Sequence, residues 1–471
     1  MKRYINIIGF LFCLFAWNAC TDDDLVKKEK AVIDGIPTTV SLSFTTQDAD
    51  RVATKSEIDV TEEYRVYDMC VFVFRQVNNV WVKELMTNVY TTTSEKGANG
   101  GTTAGTVILP VTSGTKRIYA VANGVDNPLM PIANLESVNT LDDFMALISP
   151  AATPLLEDMA VEANRLTLER FGNTIQLYIP LYVSNYCTNF CVYCGFNHDN
   201  DIHRKMLTLE EVQAETDVIT GWGFKHLLLV SGEAPAVTTV DYYEKVIRAV
   251  RDKFSQIALE VQPLDTDDYA QLHEAGLSFV CVYQETYNEQ QYPKYHPKGR
   301  KANYRYRLET PDRVCTAGVQ KMGIGALLGL EDWRTDSFFT ALHLKYLERT
   351  YWRSKYSISL PRLRPHAGAF MPKDPINDKQ MVQLICAYRL LDQQAEISVS
   401  TRESREFRDH VMHLGATSMS AGSSTEPGGY VVPHKELEQF AINDNRTPQE
   451  MVEAIKAQGY EPVWKDWDAW M

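Results

Sequence analysis

The chain lacks an excess of positive charge, and it lacks apolar runs long enough to span a membrane. Its 471 residues include 47 Lys and Arg against 61 Asp and Glu, for a formal net charge of -14 and a pI near 5.3. Because phosphate contacts need clustered Lys and Arg, this balance argues against a general binder of nucleic acid or of anionic membranes. With 45% hydrophobic residues, the chain is long enough for two or three globular domains.

Cysteine is also scarce, and its distribution is informative. Three of the nine cysteines, Cys187, Cys191 and Cys194, fall in the stretch CTNFCVYCGF, and no second CxxC-like pair occurs anywhere. Structural zinc usually takes four protein ligands in two such pairs. A [4Fe-4S] cluster held by three thiolates would instead leave one iron open for another molecule. The motif therefore predicts a catalytic cluster, with structural zinc and a chance grouping as the alternatives.

The spacing CxxxCxxC, with an aromatic residue before its last cysteine, resembles the radical SAM enzymes. In that family the open iron binds the amino and carboxylate groups of S-adenosyl-L-methionine (SAM). The resemblance implies that this loop meets SAM as well as a cluster.

Residues 1–20 predict an export signal that is absent from the mature fold. Lys2 and Arg3 form a charged start, residues 5–15 form an apolar run too short to span a bilayer, and Ala19 precedes Cys20. This pattern resembles a bacterial lipoprotein signal, in which Cys20 would be lipidated. A secretion signal without lipidation is the alternative.

Residues 21–140 predict a small β-rich domain without clustered catalytic side chains. Alternating or β-branched runs predict strands at residues 38–44, 64–74, 80–86, 106–111 and 116–122. Asn78 and Asn79 suit the turn of a hairpin. Together with the signal and the phrase IYAVANG, this region resembles the amino-terminal domain of fimbrillin-type surface lipoproteins.

From about residue 141 onward, strands and helices alternate. The predicted strands are residues 175–183, 226–231, 257–264, 279–285, 322–329, 356–363, 397–401 and 416–421. Eight such units predict an α/β fold, a (β/α)8-type barrel over residues 141–471 with function at the carboxyl ends of its strands. The resemblance of the cysteine motif implies that it is a radical SAM barrel. The smaller β-rich domain precedes it.

Carboxylates follow three of the predicted strands. Gly232 and Glu233 end the second strand and resemble the GGE motif that holds the methionine amino group of SAM, with Ser231 in place of its first glycine. Glu260 and Glu285 end the next two strands and suit ribose hydroxyls or an amine. We expect Gly232, Glu233, Glu260 and Glu285 to bind cofactor. The alternatives are a glycine turn with a solvated glutamate, and ion pairs across the barrel mouth.

Arginines follow the sixth and seventh strands. Arg362 and Arg364 are separated by one residue, so they face the same way on a strand, and Arg402 follows the next strand. Guanidinium groups suit the carboxylate of an amino acid because they bind it through two hydrogen bonds. The alternative is an Arg/Glu network that braces the barrel, for example with Glu403.

A series of motifs from residue 170 onward resembles the 2-iminoacetate synthase family, the radical SAM tyrosine lyases of thiazole (thiamine) biosynthesis. In order, the motifs are RFGNTIQLYIPLYVSNYCTNFCVYCGF, LLLVSGE, EVQPL, YQETY, LETPDR, PRLRP, STRES, TEPGGY and PVWKDWD. A related hydrogenase maturase that also cleaves tyrosine carries a second cluster motif near its carboxyl end. Here no cysteine follows Cys386.

The resemblance implies an activity and its partners. A reducing electron donor would let the cluster cleave SAM, and the resulting radical would break the Cα–Cβ bond of tyrosine to give 2-iminoacetate (dehydroglycine) and p-cresol. Arg364 and Arg402 would bind the tyrosine carboxylate. The product would pass to a thiazole synthase.

The two halves of the chain predict different compartments. The signal would direct the chain to the cell envelope, whereas the oxygen-sensitive cluster, SAM and reductant indicate the cytoplasm for residues 141–471. We therefore expect a fused or misassembled gene joined near residues 140–150. The rival interpretation is a surface-anchored, fimbrillin-like lipoprotein that carries an inactive barrel.

Overall fold

The computed structural model of the chain describes residues 37–45, 68–77, 80–90, 104–112, 116–122, 135, 138, 140–364, 370–432 and 439–465. The described residues form two units. The strands before residue 123 form the first, and the elements from residue 141 onward, apart from residues 149–152, form the second. The predicted signal with Cys20, and the predicted turn at Asn78 and Asn79, lie outside the described residues.

The first unit consists of antiparallel strands. They are β1 (Pro37–Thr45), β2 (Asp68–Val77), β3 (Val80–Tyr90), β4 (Ala104–Thr112) and β5 (Lys116–Ala122). β1 pairs with β4, and β2 lies between β3 and β5. The predicted hairpin is present, since Val77 pairs with Val80 and the ladder continues to Asp68 and Tyr90. The β-rich start predicted from alternation is therefore confirmed.

The second unit is a closed parallel barrel. Its strands are β6 (Thr174–Ser184), β7 (His226–Ser231), β8 (Gln256–Glu260), β9 (Phe279–Cys281), β10 (Lys321–Gly325), β11 (Lys355–Ser359), β12 (Glu396–Val399) and β13 (Ser418–Ser420). Each pairs with the next, and β13 pairs with β6 to close the ring of eight strands. A further strand, β14 (Glu461–Val463), pairs with the start of β6. The predicted (β/α)8 fold is confirmed.

Helices alternate with these strands, and most of them begin at a capping residue. They are α1 (Leu141–Ile148), α2 (Leu156–Phe171), α3 (Leu209–Gly221), α4 (Val240–Val250), α5 (Thr266–Ala275), α6 (Tyr292–Tyr295), α7 (Tyr304–Leu308), α8 (Thr310–Thr316), α9 (Trp333–Thr350), α10 (Asp378–Leu391), α11 (Arg405–Val411) and α12 (Pro448–Ala457). Thr208 with Glu211 and Thr447 with Glu450 form capping boxes at the starts of α3 and α12.

Several barrel strands end earlier than predicted. β8 stops at Glu260 where the prediction ran to residue 264, and β9, β10 and β11 each stop four residues early. The apolar pattern continues past these points, but the backbone leaves the ladder and becomes loops at the carboxyl end of the barrel. The prediction also missed α6 and α7 in the long connection after β9, because that segment has no clear helical period.

Helices α1 and α2 belong to the barrel unit and cover α10. The Phe144 ring lies 4.8 Å from the ring of Tyr388, and Gln383 Nε2 donates to Leu147 O at 2.7 Å. In the described part of the chain, no single helix is long and apolar enough to cross a membrane. One bent pair, Leu141–Ile148 with Pro150–Phe171, passes that test by length and composition, with a bend of 80°.

Candidate active site

The cysteine loop, residues 185–200, leaves β6 and is fastened to the end of β7. Thr188 donates twice to the Glu233 carbonyl oxygen, from N and from Oγ1, at 3.0 Å each. A Cβ on Gly232 would lie 2.3 Å from the Tyr186 carbonyl oxygen, so only glycine fits where the two segments cross. Gly232 therefore allows the backbone of the cysteine loop to pass close to the end of β7.

Arg204 holds the same loop through backbone carbonyl groups. Its guanidinium donates at 2.7–3.2 Å to the carbonyl oxygens of Asn185, Phe196, Asn197 and Asn200. These acceptors lie at both ends of the loop, so one side chain fixes its overall shape.

All three cysteines of the loop are free thiols, and they line one cavity. Burial raises the pKa of Cys187 to about 11, and it also raises the pKa of Cys191 and of Cys194. Buried thiols of this kind stay protonated unless a bound metal displaces the proton.

The donor set fits an iron–sulfur cluster better than a single metal ion. Among the described residues, no three Cys, His, Asp or Glu side chains converge as ligands of one ion. A structural zinc ion needs such convergence, with four ligands about 2 Å from the metal. A [4Fe-4S] cluster binds its thiolates through different irons and does not need it.

Glu233 and Glu285 share a buried network of charges. Arg307 Nη1 lies 2.8 Å from Glu233 Oε1, and its Nη2 lies 3.6 Å from Glu285 Oε1. Lys301 Nζ donates to the same Glu285 oxygen at 2.6 Å, and Asn189 Nδ2 donates to Glu233 Oε2 at 2.7 Å. Ion pairing across the barrel mouth, one of the alternatives above, is thus present at Glu285. Each carboxylate keeps lone pairs for a ligand, because an oxygen accepts two hydrogen bonds.

These ion pairs set the charge of the network. Burial would raise the pKa of Glu285, but Lys301 and Arg307 outweigh it and hold that pKa below its ordinary value. Burial likewise opposes the charge on Lys301 and Arg307, yet the neighbouring carboxylates prevail and raise the pKa of both. Glu285, Lys301 and Arg307 therefore carry their charges at neutral pH.

The turn that carries Glu285 has a strained backbone and is held by hydrogen bonds to the Asp336 carboxylate. Glu285 has φ 68°, the one non-glycine residue with positive φ in the part of the chain that the structure describes. The Asp336 carboxylate accepts from Tyr287 N at 2.8 Å and from Thr286 Oγ1 at 3.0 Å. Burial raises the pKa of Asp336 to about 7. This buried acceptor holds the left-handed turn in place.

Glu260 differs from the other two carboxylates because it has no hydrogen-bond or ion-pair partner among the described residues. It ends β8 and lines the cavity, with part of its surface open to it. Burial raises the pKa of Glu260 to about 7; Arg402 opposes the shift and Glu285 reinforces it.

The three arginines separate into two groups. Arg362 donates from Nε to Glu403 Oε1 at 3.0 Å, from Nη2 to the other Glu403 oxygen, and from Nη1 to Asp378 Oδ1 at 2.6 Å. It belongs to the bracing network considered as the alternative. Arg364 has no partner for its buried Nε among the described residues, and the Arg402 guanidinium lies 3.4 Å from the Phe440 ring centre.

One cavity of about 190 Å³ at the carboxyl end of the barrel brings the predicted residues together. Its lining includes Cys187, Cys191, Cys194, Gly232, Glu233, Glu260, Glu285, Arg364 and Arg402. The glycines of β10 have a packing role, since a Cβ on Gly323 would lie 2.8 Å from Cys281 Sγ and one on Gly325 2.3 Å from Ser359 O.

Sequence reasoning missed Lys301, Arg307 and Asn189, which complete the network. Lys301 and Arg307 lie in the connection between β9 and β10, where the motif LETPDR begins one residue after Arg307. Asn189 lies between the first two cysteines, and its Oδ1 accepts from Lys301 N at 2.9 Å. The sequence signal for the two basic residues is the density of Lys and Arg in that connection, together with the carboxylates predicted at the neighbouring strand ends.

The chain matches known families over most of its length. The Radical SAM superfamily matches residues 181–340, the Biotin and Thiamin Synthesis associated domain residues 359–461, and the Major fimbrial subunit protein (FimA) residues 38–162. A 2-iminoacetate synthase of Salmonella typhimurium is 51% identical over 331 residues, 70% of this chain and 88% of that protein. A 2-iminoacetate synthase of Escherichia coli is 50% identical over 333 residues, 70% of this chain and 88% of that protein.

Solved structures agree with this assignment. The FeFe-hydrogenase maturase HydG from Carboxydothermus hydrogenoformans is 31% identical, with a TM-score of 0.65 over 69% of this chain and 76% of that chain. Methylornithine synthase, at 22% identity and a TM-score of 0.58 over 70% of this chain and 96% of that one, shares the fold.

Proposed function

Because the chain belongs to the 2-iminoacetate synthase family of radical SAM enzymes, we propose that it is the tyrosine lyase of thiazole formation. It cleaves the Cα–Cβ bond of tyrosine to 2-iminoacetate and p-cresol. The observation that carries the proposal is that the cysteine loop opens into the same cavity as Arg364 and Arg402. A radical formed beside the loop would therefore form next to a site suited to an amino-acid carboxylate.

Cys187, Cys191 and Cys194 would hold a [4Fe-4S] cluster, and Gly232, Glu233 and Glu285 would contact SAM. Once bound and reduced by an electron donor, the cluster and SAM would supply the radical chemistry. The protein's contribution is orientation and exclusion of water. The network of Arg307 and Lys301 supports that role, because its ion pairs hold both glutamates in place before SAM binds.

Arg364 and Arg402 would bind the carboxylate of tyrosine. The support is that neither has an ion-pair partner in the described residues, so each guanidinium can form charge-assisted hydrogen bonds to a ligand. Arg362 is excluded from this role by its contacts with Glu403 and Asp378.

The partner that consumes 2-iminoacetate would be a thiazole synthase, since the imine hydrolyses unless it is used. We assign the barrel to the compartment that supplies SAM and reductant, the cytoplasm.

Anaerobic reconstitution of the chain tests the proposal. We expect a [4Fe-4S] absorption spectrum and formation of p-cresol from tyrosine and SAM. Cys191→Ala should lose both, whereas Cys315→Ala, which changes a thiol outside the cavity, should keep them. A cluster spectrum that survives Cys191→Ala, or the absence of p-cresol from a fully loaded protein, would refute the assignment.

A second candidate rests on the fimbrial match at residues 38–162. A surface lipoprotein that carries an inactive barrel predicts lipidated Cys20 and no cluster in cells. Mass spectrometry for a peptide that spans residues 134–154 decides whether both halves exist in one polypeptide. If peptides from the two sides only ever occur separately, the fusion is not real.

A further inference from the structure

The charged side chains around the cavity separate into those paired within the protein and those left unpaired. Three carboxylates are paired: Glu233 with Arg307, Glu285 with Lys301, and Glu403 with Arg362. In the described part of the chain, Glu260, Arg364 and Arg402 line the same cavity without an ion pair. The carboxylate of Glu260 and the guanidinium groups of Arg364 and Arg402 are therefore available to a ligand in the cavity.

Arg402 is fixed beside the cavity by an aromatic ring. Its guanidinium lies over the Phe440 ring at 3.4 Å, a cation–π contact that holds the charge without neutralising it. Arg402 is also the strongest cationic influence on Glu260, although the two form no ion pair. Opposite charges that line one cavity without pairing with each other can bind a molecule that carries both signs.

An amino acid is such a molecule, because its ammonium and carboxylate groups are separated by one carbon atom. Burial of an unpaired charge is costly, and a ligand that supplies the opposite charge removes this cost. SAM's own amino and carboxylate groups are expected at the open iron, so they do not need Glu260. The remaining amino group in the reaction is that of the substrate.

We propose that Glu260 is a specificity residue that binds the amino group of the substrate amino acid, while Arg402 binds its carboxylate. This inference rests on the proposed function and replaces the cofactor role first predicted for Glu260. The raised pKa of Glu260 agrees with it, since burial without an ion-pair partner opposes the ionisation of a carboxylate. An arriving ammonium group would restore that charge.

The test compares three ligands on the reconstituted full chain by calorimetry: L-tyrosine, 3-(4-hydroxyphenyl)propionate without the amino group, and tyramine without the carboxylate. We expect wild type to bind tyrosine about 10- to 100-fold more tightly than either analogue, the range for a charge-assisted hydrogen bond. In Glu260→Gln the preference over the propionate should fall to about 3-fold or less. The preference over tyramine should persist.

Arg402→Gln should give the converse result, with a reduced preference over tyramine only, since Arg364 still faces the carboxylate. Glu274→Gln changes an exposed glutamate on α5 and should leave both preferences as in wild type. SAM affinity should change less than about 2-fold in Glu260→Gln, which also shows that the barrel is folded.

Two results would overturn the inference. An unchanged preference over the propionate in Glu260→Gln excludes a contact with the amino group. A loss of SAM affinity with the preference intact assigns Glu260 to the ribose instead. If Glu260→Gln fails to fold, Glu260→Ala carries the same comparison, and an undiminished preference there refutes the inference. Failure of wild type to bind tyrosine at all would instead contradict the proposed function.

Discussion

Arg307 is the residue whose removal tests the charge network most directly. It lies in α7, is 6% exposed, and contacts Glu233, Glu285 and the Tyr283 carbonyl oxygen, the last at 2.7 Å from Nε. Arg307→Met keeps much of the side-chain volume but removes the charge. Glu233 would then keep Asn189 as its remaining side-chain partner, and Glu285 would keep Lys301.

The expected cost follows from these contacts. A pair of unit charges about 4 Å apart is worth about 4 kcal/mol at an effective dielectric constant of about 20. The variant loses one such pair with Glu233 and a longer one with Glu285, but it no longer has to desolvate the guanidinium. Broken buried ion pairs cost about 3–5 kcal/mol, and we expect Arg307→Met to lie in this range.

Urea unfolding measures this loss in free energy of unfolding. The transition of the barrel is the one that shifts to higher urea when SAM is added, because a ligand stabilises the unit that binds it. Arg305→Met, an exposed change in the same helix, is the matched control and should cost less than about 0.5 kcal/mol. The double variant Arg307→Met with Glu233→Gln should recover part of the loss, because it removes the unpaired charge. A loss below about 1 kcal/mol in Arg307→Met, or no recovery in the double variant, would refute the network.

Three further changes give separate predictions. Gly232→Ala places a Cβ 2.3 Å from the backbone of the cysteine loop and should lower both stability, by about 1–3 kcal/mol, and the iron content after reconstitution; Gly221→Ala, with nothing within 4 Å, is its control. Arg204→Met should lower the iron content after reconstitution while the number of free thiols in the unloaded protein stays the same. An iron content equal to that of wild type would show that Arg204 does not hold the cysteine loop in shape. Asp336→Asn tests a raised pKa: folded Asp336 titrates near 7, above its unfolded value of 3.8, so its stabilising contribution is present below pH 4 and is lost as pH rises through 7. Between about pH 4 and 7, the free energy of unfolding of the Asn variant should therefore rise relative to that of wild type by up to about 1.4 kcal/mol per pH unit. A difference in stability between the two proteins that does not change with pH would contradict this prediction.

The sequence predicted the fold and residues that line the cavity, but not their mutual contacts. Strand alternation and the motif order located Cys187, Glu233, Glu260 and Arg402 at strand ends, and one cavity collects them. Whether a charge is paired depends on distances across the barrel, which no local pattern encodes. Arg307 shows the limit, because it lies in an irregular connection and acquires its role only when the chain folds over the mouth.

The boundary of the barrel provides a last prediction. The fimbrial match extends to residue 162, yet α1 and the first half of α2 lie in the barrel unit. Phe144, Leu147 and Ile148 are at most 2% exposed there, and each such side chain contributes about 1.5–3 kcal/mol when buried.

A chain that begins at residue 140 keeps these contacts, together with Thr140, whose Oγ1 accepts from Asp143 N at 3.1 Å at the start of α1. A chain that begins at residue 163 loses all of them, about 5–9 kcal/mol in total, which is comparable to the whole stability of a domain. We therefore expect a cooperative thermal transition and cluster uptake from the longer chain and neither from the shorter one. Equal transitions in the two chains would mean that α1 and the first half of α2 do not stabilise the barrel, and that the enzyme begins after the fimbrial match ends.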